Sequence, residues 1–218
     1  QSLGTVVASD ADGDDLTWSI TAGNDPVLFS INTGTGELHT TGALDFETTP
    51  QYVLTITATD DGAGTLSDTA TVTVDVTNVN EAPVAVDNAF TVAENTAASS
   101  LGTVSASDVD AGDTLAYSIT VGNGGGEFSI NTGTGELHQV GTLDFETTPQ
   151  HVLTITVTDA GALTGTATVT VDVTDVNDAP VVVDNTFSIA ENAGVGSLGM
   201  VVASDADGDD LTWSITVA

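Results

Sequence analysis

Residues 153–157 read Leu-Thr-Ile-Thr-Val, and residues 167–173 read Ala-Thr-Val-Thr-Val-Asp-Val. In both stretches an apolar side chain alternates with a polar one. This period of two, together with the enrichment in threonine and valine, is typical of β-strands that bury one face and expose the other to water. We therefore predict two long amphipathic strands in this part of the chain.

Shorter strands are predicted on the amino-terminal side of this pair. Clusters of Gly, Asn and Asp separate them, as expected for turns, and no segment has a convincing helical pattern. About seven strands in fewer than 100 residues favour a Greek-key sandwich. The fold class that we predict is all-β, with tandem seven-stranded antiparallel Greek-key (Ig-like) β-sandwiches. The shorter strands are expected near 86–92, 101–107, 114–120, 127–131 and 135–140.

The chain repeats itself at a spacing close to the size of one domain. Ser-Leu-Gly-Thr-Val at 2–6 recurs at 100–104, and Leu-Asp-Phe-Glu-Thr-Thr-Pro at 44–50 recurs at 143–149. Such a period indicates an array of similar modules. Because the chain starts and stops inside a repeat, we expect an excerpt of a longer polypeptide. The predicted domains are a repeat lacking its first strand, a complete repeat, and the start of a third, over 1–82, 83–180 and 181–218.

Aromatic residues occupy equivalent places in the repeats. A sandwich needs bulky side chains between its sheets, so we predict that these rings form the core. A surface on which sugars stack is the alternative. The equivalent sets are Trp18, Tyr117 and Trp213; Phe29 and Phe128; Phe46 and Phe145; and Phe90 and Phe187.

The charge of the chain excludes several classes of function. It has 32 acidic residues and no Lys or Arg, for a formal net charge of −32. Affinity for nucleic acid and for anionic membrane surfaces comes mostly from Lys and Arg, so neither is an expected partner. A hydrophobic content of 40% argues against disorder. Without cationic side chains, the acids must be solvated or bind metal ions.

Other absences narrow the interpretation further. The chain has no cysteine, so disulfides and thiolate metal sites are excluded. No apolar run is long enough to span a bilayer, and no signal peptide is recognisable, so we expect no membrane insertion and any export signal outside this chain. The only histidines, His39, His138 and His151, are expected on strand surfaces. Paired carboxylates suit a glycosidase, but here they recur in every repeat. We therefore predict that the chain is not an enzyme.

Carboxylates gather at the predicted strand ends and at the joins between repeats. An isolated Asp in a loop is usually a turn residue, and a solvated acidic face is the alternative interpretation. Several carboxylates converging without a cation would repel one another, whereas calcium takes six to eight oxygen ligands in irregular geometry. Magnesium prefers strict octahedral sites. Calcium is therefore the predicted cofactor.

Short acidic motifs recur in a fixed order within each repeat, and their set resembles tandem cadherin repeats of the bacterial kind. Leu-Asp-Phe-Glu stands where the family has Leu-Asp-Arg-Glu, and Ala82 and Ala179 replace a linker Asn. The earlier linker, Asn-Val-Asn-Glu-Ala, also carries one negative charge fewer than the later linker, Asp-Val-Asn-Asp-Ala. The motifs are Ala-Glu-Asn at 93–95 and 190–192, Asp-Xaa-Asp at 10–12, 108–110 and 205–207, Leu-Asp-Phe-Glu at 44–47 and 143–146, Thr-Asp-Xaa-Gly at 59–62 and 158–161, and Asp-Val-Asn-Asp-Ala-Pro at 175–180.

The resemblance implies calcium ligands at the joins between repeats. For the later join, the implied ligands are Glu94, Asp144, Glu146, Asp175, Asn177 and Asp178, facing Asp205 and Asp207. For the earlier join, they are Asp45, Glu47, Asn78, Asn80 and Glu81, facing Asp108, Asp110 and Asp159, with Asp113 as a compensating acid. A join with a module upstream would use Asp10, Asp12 and Asp60, and Glu191 belongs to the third copy of the Glu-Asn motif.

These observations predict a calcium-rigidified extracellular repeat array, either structural or adhesive. A bacterial, secreted or surface-bound stalk, adhesin or filament is expected, with further repeats or neighbouring copies as partners. The alternative is a polysaccharide-binding module of a cell-surface protein, with surface polysaccharide or another cell as the partner. A further possibility is that a neighbour donates a strand from 182–190 to the first repeat, although an excerpt explains the same facts more simply.

Overall fold

The chain divides into two compact units in a computed structural model, which describes residues 1–216. Unit 1 comprises Gln1–Glu81, and unit 2 begins at Ala82. All regular secondary structure within residues 1–216 is β-strand. The structure therefore contains no helix, within those residues, that is long and apolar enough to cross a membrane.

Unit 1 contains two antiparallel sheets of three strands each. Their orders are β1-β4-β3 and β2-β5-β6. The buried core between them consists of Phe29, Leu38, Leu54 and Ile56. The strands are β1 (Ser2–Thr5), β2 (Leu16–Ala22), β3 (Phe29–Ile31), β4 (Glu37–Thr40), β5 (Gln51–Asp60) and β6 (Ser67–Asp75).

Unit 2 repeats this arrangement and adds strands to it. Its strands are β7 (Val84–Ala85), β8 (Asn88–Ala93), β9 (Ser99–Thr103), β10 (Ala106–Ser107), β11 (Ala116–Val121), β12 (Phe128–Ile130), β13 (Glu136–Gln139), β14 (Gln150–Thr158), β15 (Thr164–Thr174), β16 (Val181–Val182) and β17 (Ala203–Ser204). The sheet orders are β11-β14-β15-β8 and β12-β13-β9, with the short pairs β7-β10 and β16-β17.

The apolar side chains that alternate along β14 and β15 form much of the core of unit 2. Leu153, Ile155 and Val157 are 0% exposed, as are Val169 and Val171 of the neighbouring strand. The polar residues between them face outward, because successive side chains of a strand point to opposite faces. The predicted all-β sandwich class is confirmed.

One pair of strands differs from a purely antiparallel sandwich. The first long strand of the complete repeat, β8, pairs in parallel with the last, β15, so that Asn88 lies opposite Val169. In a module that the chain enters at one end and leaves at the opposite end, the first and last long strands run in the same direction. When these strands become neighbours, they must pair in parallel.

Most of the predicted core aromatics are buried or half-buried. Phe29, Phe128 and Tyr117 are buried, and Trp18 packs against the core of unit 1. Phe90 and Phe145 pack against the core of unit 2, and Phe46 is half-buried. His151 lies edge-on to Phe128, with 5.1 Å between ring centroids, so this histidine serves packing.

The prediction of core positions and a strand in the third repeat was wrong. Trp213 is 57% exposed and Phe187 is 41% exposed. Of the strand predicted over 182–190, only Val182 is regular strand, as the second residue of β16. Between residue 181 and residue 216 the structure has no counterpart of β14 or β15, so these residues have no sheet on which to pack.

Candidate metal centres

Two groups of three carboxylates converge within unit 2. Site A consists of Glu94, Glu146 and Asp175, and each offers an oxygen within 4.8 Å of the others. Glu94 follows β8, and Asp175 follows β15. Because these two strands are parallel neighbours, their carboxyl ends meet at one edge of the sheet. The topology therefore places the two side chains together.

Glu94 is held by backbone groups from two other segments. It is only 1% exposed. Its Oε2 accepts a hydrogen bond from the Phe145 N–H at 2.7 Å, and its Oε1 accepts one from the Val176 N–H at 2.9 Å. Hydrogen bonds to an ionised carboxylate are stronger than neutral ones. Glu94 thus fixes the Leu-Asp-Phe-Glu turn and the start of the linker to the same point.

A loop of the third repeat contacts the linker beside site A. The Asp178 N–H donates to Oδ2 of Asp207 at 2.5 Å, and the side-chain amide of Asn95 donates to Oδ1 of Asp178 at 2.8 Å. The other oxygen of Asp207, Oδ1, is buried without a hydrogen-bond partner in the protein. Acids from the repeat, the linker and the following repeat are therefore neighbours.

The acids at this point repel one another in the absence of a cation. Burial raises the pKa of Asp175, and the hydrogen bond and charge of Asp207 and the charges of Glu94 and Asp178 raise it further. The backbone amide of Glu146 lowers the pKa of its own carboxyl, but burial and the charges of Glu94, Asp207 and Asp175 outweigh this effect, so that the pKa is raised. Both pKa shifts therefore arise from burial together with the neighbouring negative charges.

Site B consists of Asp108, Asp113 and Asp159, whose ligand oxygens also lie within 4.8 Å of one another. Oδ1 of Asp108 accepts from the Asp110 N–H at 2.9 Å, and Oδ1 of Asp159 accepts from the Leu163 N–H at 2.8 Å. Oδ2 of Asp108 and Oδ2 of Asp113 are buried without a partner in the protein. Burial, followed by the charges of Asp108, Asp110 and Asp159, raises the pKa of Asp113.

Both sites have the chemistry of a hard divalent cation site. A buried carboxylate oxygen without a partner is costly, and a bound cation would remove that cost. All the ligand atoms are carboxylate oxygens, and three carboxylates converge at each site. Calcium accepts such ligands in flexible geometry. The residues therefore fit calcium.

Other predicted ligands cap local turns. Oδ1 of Asp144 accepts from the Thr147 N–H at 2.8 Å, and Oδ1 of Asp45 accepts from the Thr48 N–H at 3.0 Å. The bond from Thr48 N–H, followed by the one from its hydroxyl, lowers the pKa of Asp45. Oδ1 of Asp10 accepts from the N–H groups of Asp12, Gly13 and Asp14, and Oδ1 of Asp60 accepts from the N–H groups of Gly62 and Leu66.

Three further predicted ligands, Glu191, Asn177 and Asp205, are not among the residues that define sites A and B. Glu191 is exposed, whereas its counterpart Glu94 is buried. Asn177 donates to the backbone oxygen of Asp178, and Asp205 accepts from the Asp209 N–H at 3.3 Å. For the earlier join, Asp45, Glu47, Asn78, Asn80 and Glu81 belong to unit 1, whereas Asp108, Asp110 and Asp159 belong to unit 2. A site shared by these residues stays a prediction.

Asp113 is the residue whose importance the sequence understates. It lies five residues after Asp108 in the same loop and points into site B. From the sequence, Asp113 was expected only to compensate for the lower charge of the linker at the earlier join. The available signal is a third acid after the Asp-Val-Asp motif, which recurs in the first repeat as Asp14.

Replacing Asp113 with Asn should have opposite effects with and without calcium. In chelator, Asp113→Asn removes one of the repelling charges at site B and is expected to raise the unfolding temperature of unit 2. In calcium it removes a charged ligand and should weaken binding at this site roughly tenfold. Calorimetric unfolding in both buffers measures this, with the exposed Asp210→Asn as a control. A shift of the same sign in both buffers would contradict cation binding at Asp113.

The comparison with known families identifies the class of protein. The cadherin domain family matches residues 1–77 and 88–174. The chain therefore belongs to the cadherin domain family. It is 39% identical over 205 residues to human protocadherin Fat 1, which covers 88% of the chain, and 37% identical over 190 residues to rat protocadherin Fat 2, which covers 82%. It spans only 4% of the length of each relative.

Solved structures of the same family resemble the chain. The protocadherin gammaB7 EC3-6 cis-dimer structure has a TM-score of 0.62 and 31% sequence identity, over 91% of this chain and 53% of that one. Mouse cadherin-23 EC22-24 has a TM-score of 0.68 over 94% of this chain and 72% of that one. At 22% identity, the second likeness concerns the fold alone.

Proposed function

We propose that the chain is part of an extracellular array of cadherin repeats that calcium stiffens at the ends of the repeats. The observation that carries this proposal is the convergence at site A. Glu94 and Glu146 come from one repeat and Asp175 from the linker, while Asp207 of the next repeat binds the Asp178 N–H. Membership of the cadherin family supports the assignment.

In this proposal, calcium at site A would be held by Glu94, Glu146 and Asp175, with Asp207 as a further donor. Calcium at site B would be held by Asp108, Asp113 and Asp159. The ion supplies positive charge that neutralises the repulsion among these carboxylates. Segments that otherwise repel one another are then held together, and the linker loses its freedom to swing.

The location of the chain and its partners are also proposed. A crystal structure of the protocadherin gammaB4 extracellular domain is 31% identical to this chain with a TM-score of 0.60, over 91% of this chain and 35% of that one, which supports an extracellular position. The named relatives come from human and rat, so they do not support the predicted bacterial origin, which stays a prediction. We propose that this chain, together with further repeats or neighbouring copies of it, forms a stalk, adhesin or filament.

The polysaccharide-binding alternative has less support. Stacking of a sugar requires an exposed ring, and the rings of Tyr117, Phe29 and Phe128 are buried in the cores of their units. Trp18 also packs against its core. The equivalent aromatics of the two folded repeats thus serve packing, which favours the structural array.

Small-angle scattering with and without calcium tests the proposed stiffening. In calcium, the maximum dimension of the chain is expected to increase and its distance distribution to narrow, because the linker near Asp175 no longer swings. In chelator, the scattering should fit an ensemble of orientations. Magnesium at equal ionic strength controls for screening of charge. Identical scattering curves in calcium and in chelator would contradict the proposal.

A further inference from the structure

One glutamate and one histidine lie side by side on the solvent face of each folded repeat. The sequence Glu-Leu-His occupies residues 37–39 in β4 and residues 136–138 in β13. Successive side chains of a strand point to opposite faces, so the leucine between the two polar residues faces inward. Leu38 is 3% exposed and Leu137 is 0% exposed. The burial of these leucines holds each Glu–His pair outward, on the central strand of its three-stranded sheet.

The two side chains of each pair lie at the distance expected for two ligands of one metal ion. Nε2 of His39 is 3.5 Å from Oε2 of Glu37, and the second pair, His138 and Glu136, has the same separation. This distance is long for an N–H···O hydrogen bond, which usually measures about 2.7 to 3.2 Å. Zinc binds nitrogen and oxygen at about 2.0 to 2.2 Å in tetrahedral geometry, which separates two such ligands by about 3.4 Å. Each pair is therefore spaced as two corners of a tetrahedral metal site.

A serine on the neighbouring strand orients the carboxylate of each pair. The hydroxyl of Ser2 donates to Oε1 of Glu37 at 2.6 Å, and the hydroxyl of Ser100 donates to Oε1 of Glu136 at 2.6 Å. The hydrogen bond from Ser100, followed by the charge of a protonated His138, lowers the pKa of Glu136, so this carboxylate stays ionised. Hydrogen bonds of this kind fix the orientation of ligating carboxylates in metal sites. Each serine thus leaves Oε2 of its glutamate directed toward the histidine.

The surroundings of each pair leave room for an ion and its water ligands. His138 lies opposite Ser100 on one neighbouring strand and opposite Ser129 on the other, and His39 has serines in the same two places. These side chains are short, and both histidine side chains remain 36% exposed. The chain has no Lys or Arg, so no cationic side chain competes with an ion for the glutamates. Each pair is therefore accessible to a hydrated cation.

We propose that each Glu–His pair is a binding site for a divalent transition-metal ion of the zinc class, with water supplying the remaining ligands. Calcium and magnesium do not suit the pair, because these hard cations take oxygen ligands. An imidazole nitrogen suits zinc, copper and nickel. The pairs share no residue with sites A and B, so this inference does not depend on calcium binding there. An array of such repeats would carry one zinc-class site on the same sheet of each repeat.

Titration of zinc into the full chain, followed by NMR of the histidine ring nitrogens, tests this proposal. Calcium is kept at about 10 mM, so that it competes with zinc for the carboxylates of sites A and B. The chain has only three histidines, and His151 packs edge-on against Phe128, which makes it the internal control. We expect saturable shifts of the Nε2 resonances of His39 and His138 and none for His151. Magnesium in place of zinc should shift none of the three.

Each repeat serves as the control for the other in variants of the glutamates. Glu136→Gln replaces a charged ligand with a neutral amide and should weaken zinc binding at His138 at least about tenfold, while binding at His39 is unchanged. Glu37→Gln should have the reverse effect. Glu191→Gln, which removes the same charge from an exposed position outside both pairs, should change neither site. The same titration measures all three variants.

Three outcomes would overturn the proposal. The first is a titration in which zinc shifts neither His39 nor His138. The second is an equal shift of all three histidines, or equal shifts with zinc and magnesium, which would indicate nonspecific attraction to a chain of net charge −32. The third is full zinc affinity at His138 in Glu136→Gln, because the glutamate would then not be a ligand. Calcium binding is measured in a separate titration, so failure of the zinc sites and failure of sites A and B are distinguishable.

Discussion

Thermal unfolding of the chain in about 10 mM calcium is expected at least about 10 °C above unfolding in chelator. A ligand at a hundredfold excess over its Kd stabilises the folded state by about 2.7 kcal/mol per site, and extracellular calcium modules have Kd values of roughly 10⁻⁴ to 10⁻³ M. In small domains, each kcal/mol raises the unfolding temperature by about 4 to 8 °C. Calorimetry or circular dichroism measures the shift.

Two controls separate binding from screening of charge. The net charge of −32 makes the folded chain repel itself, so any salt stabilises it to some degree. Sodium chloride at equal ionic strength and magnesium at equal concentration should therefore give much smaller shifts than calcium. If the three salts gave equal shifts, screening would account for the effect, and occupation of sites A and B would be refuted.

The second large effect is expected for Glu94→Gln. A glutamine amide has one acceptor oxygen, whereas the Glu94 carboxylate uses both of its oxygens, one for the Phe145 N–H and one for the Val176 N–H. The variant leaves one buried N–H facing an amide NH₂ group. An unsatisfied buried donor costs about 1 to 3 kcal/mol, so unit 2 should unfold several degrees lower even in chelator. In calcium the difference should grow, because site A also loses a charge.

Glu191→Gln is the matched control, because Glu191 occupies the same motif in the third repeat and is exposed. Surface substitutions of this kind usually change the free energy of unfolding by less than about 0.5 kcal/mol. Both variants change one carboxylate to an amide and have the same net charge. Equal unfolding temperatures for Glu94→Gln and Glu191→Gln would show that the buried position of Glu94 has no special role.

The sandwich could be predicted because its strands follow a simple alternation. Leu153, Ile155 and Val157 were expected on one face, and all three are fully buried. The parallel addition of β8 to β15 could not be predicted in this way, because alternation gives the face of a residue and not the direction of its neighbour. That pairing is what brings Glu94 next to Asp175.

The sites could be predicted only in part. Motif order places Glu94, Glu146 and Asp175 near one end of the repeat, but the two backbone hydrogen bonds to Glu94 depend on the fold of three segments. Equivalence between repeats also misleads where the surroundings differ. Trp213 repeats Trp18, yet Trp213 is exposed, because burial depends on partner strands that a repeated motif does not contain.

Calorimetric titration of calcium into the calcium-free chain at neutral pH measures binding at sites A and B directly. We expect saturable binding, with at least two calcium ions per chain and affinities in the range of extracellular calcium modules, roughly 10⁻⁴ to 10⁻³ M. Asp113→Asn and Glu94→Gln should each weaken calcium binding, while Glu191→Gln should not. A titration without saturable heat, or one unchanged by Asp113→Asn and Glu94→Gln, would contradict calcium binding at sites A and B.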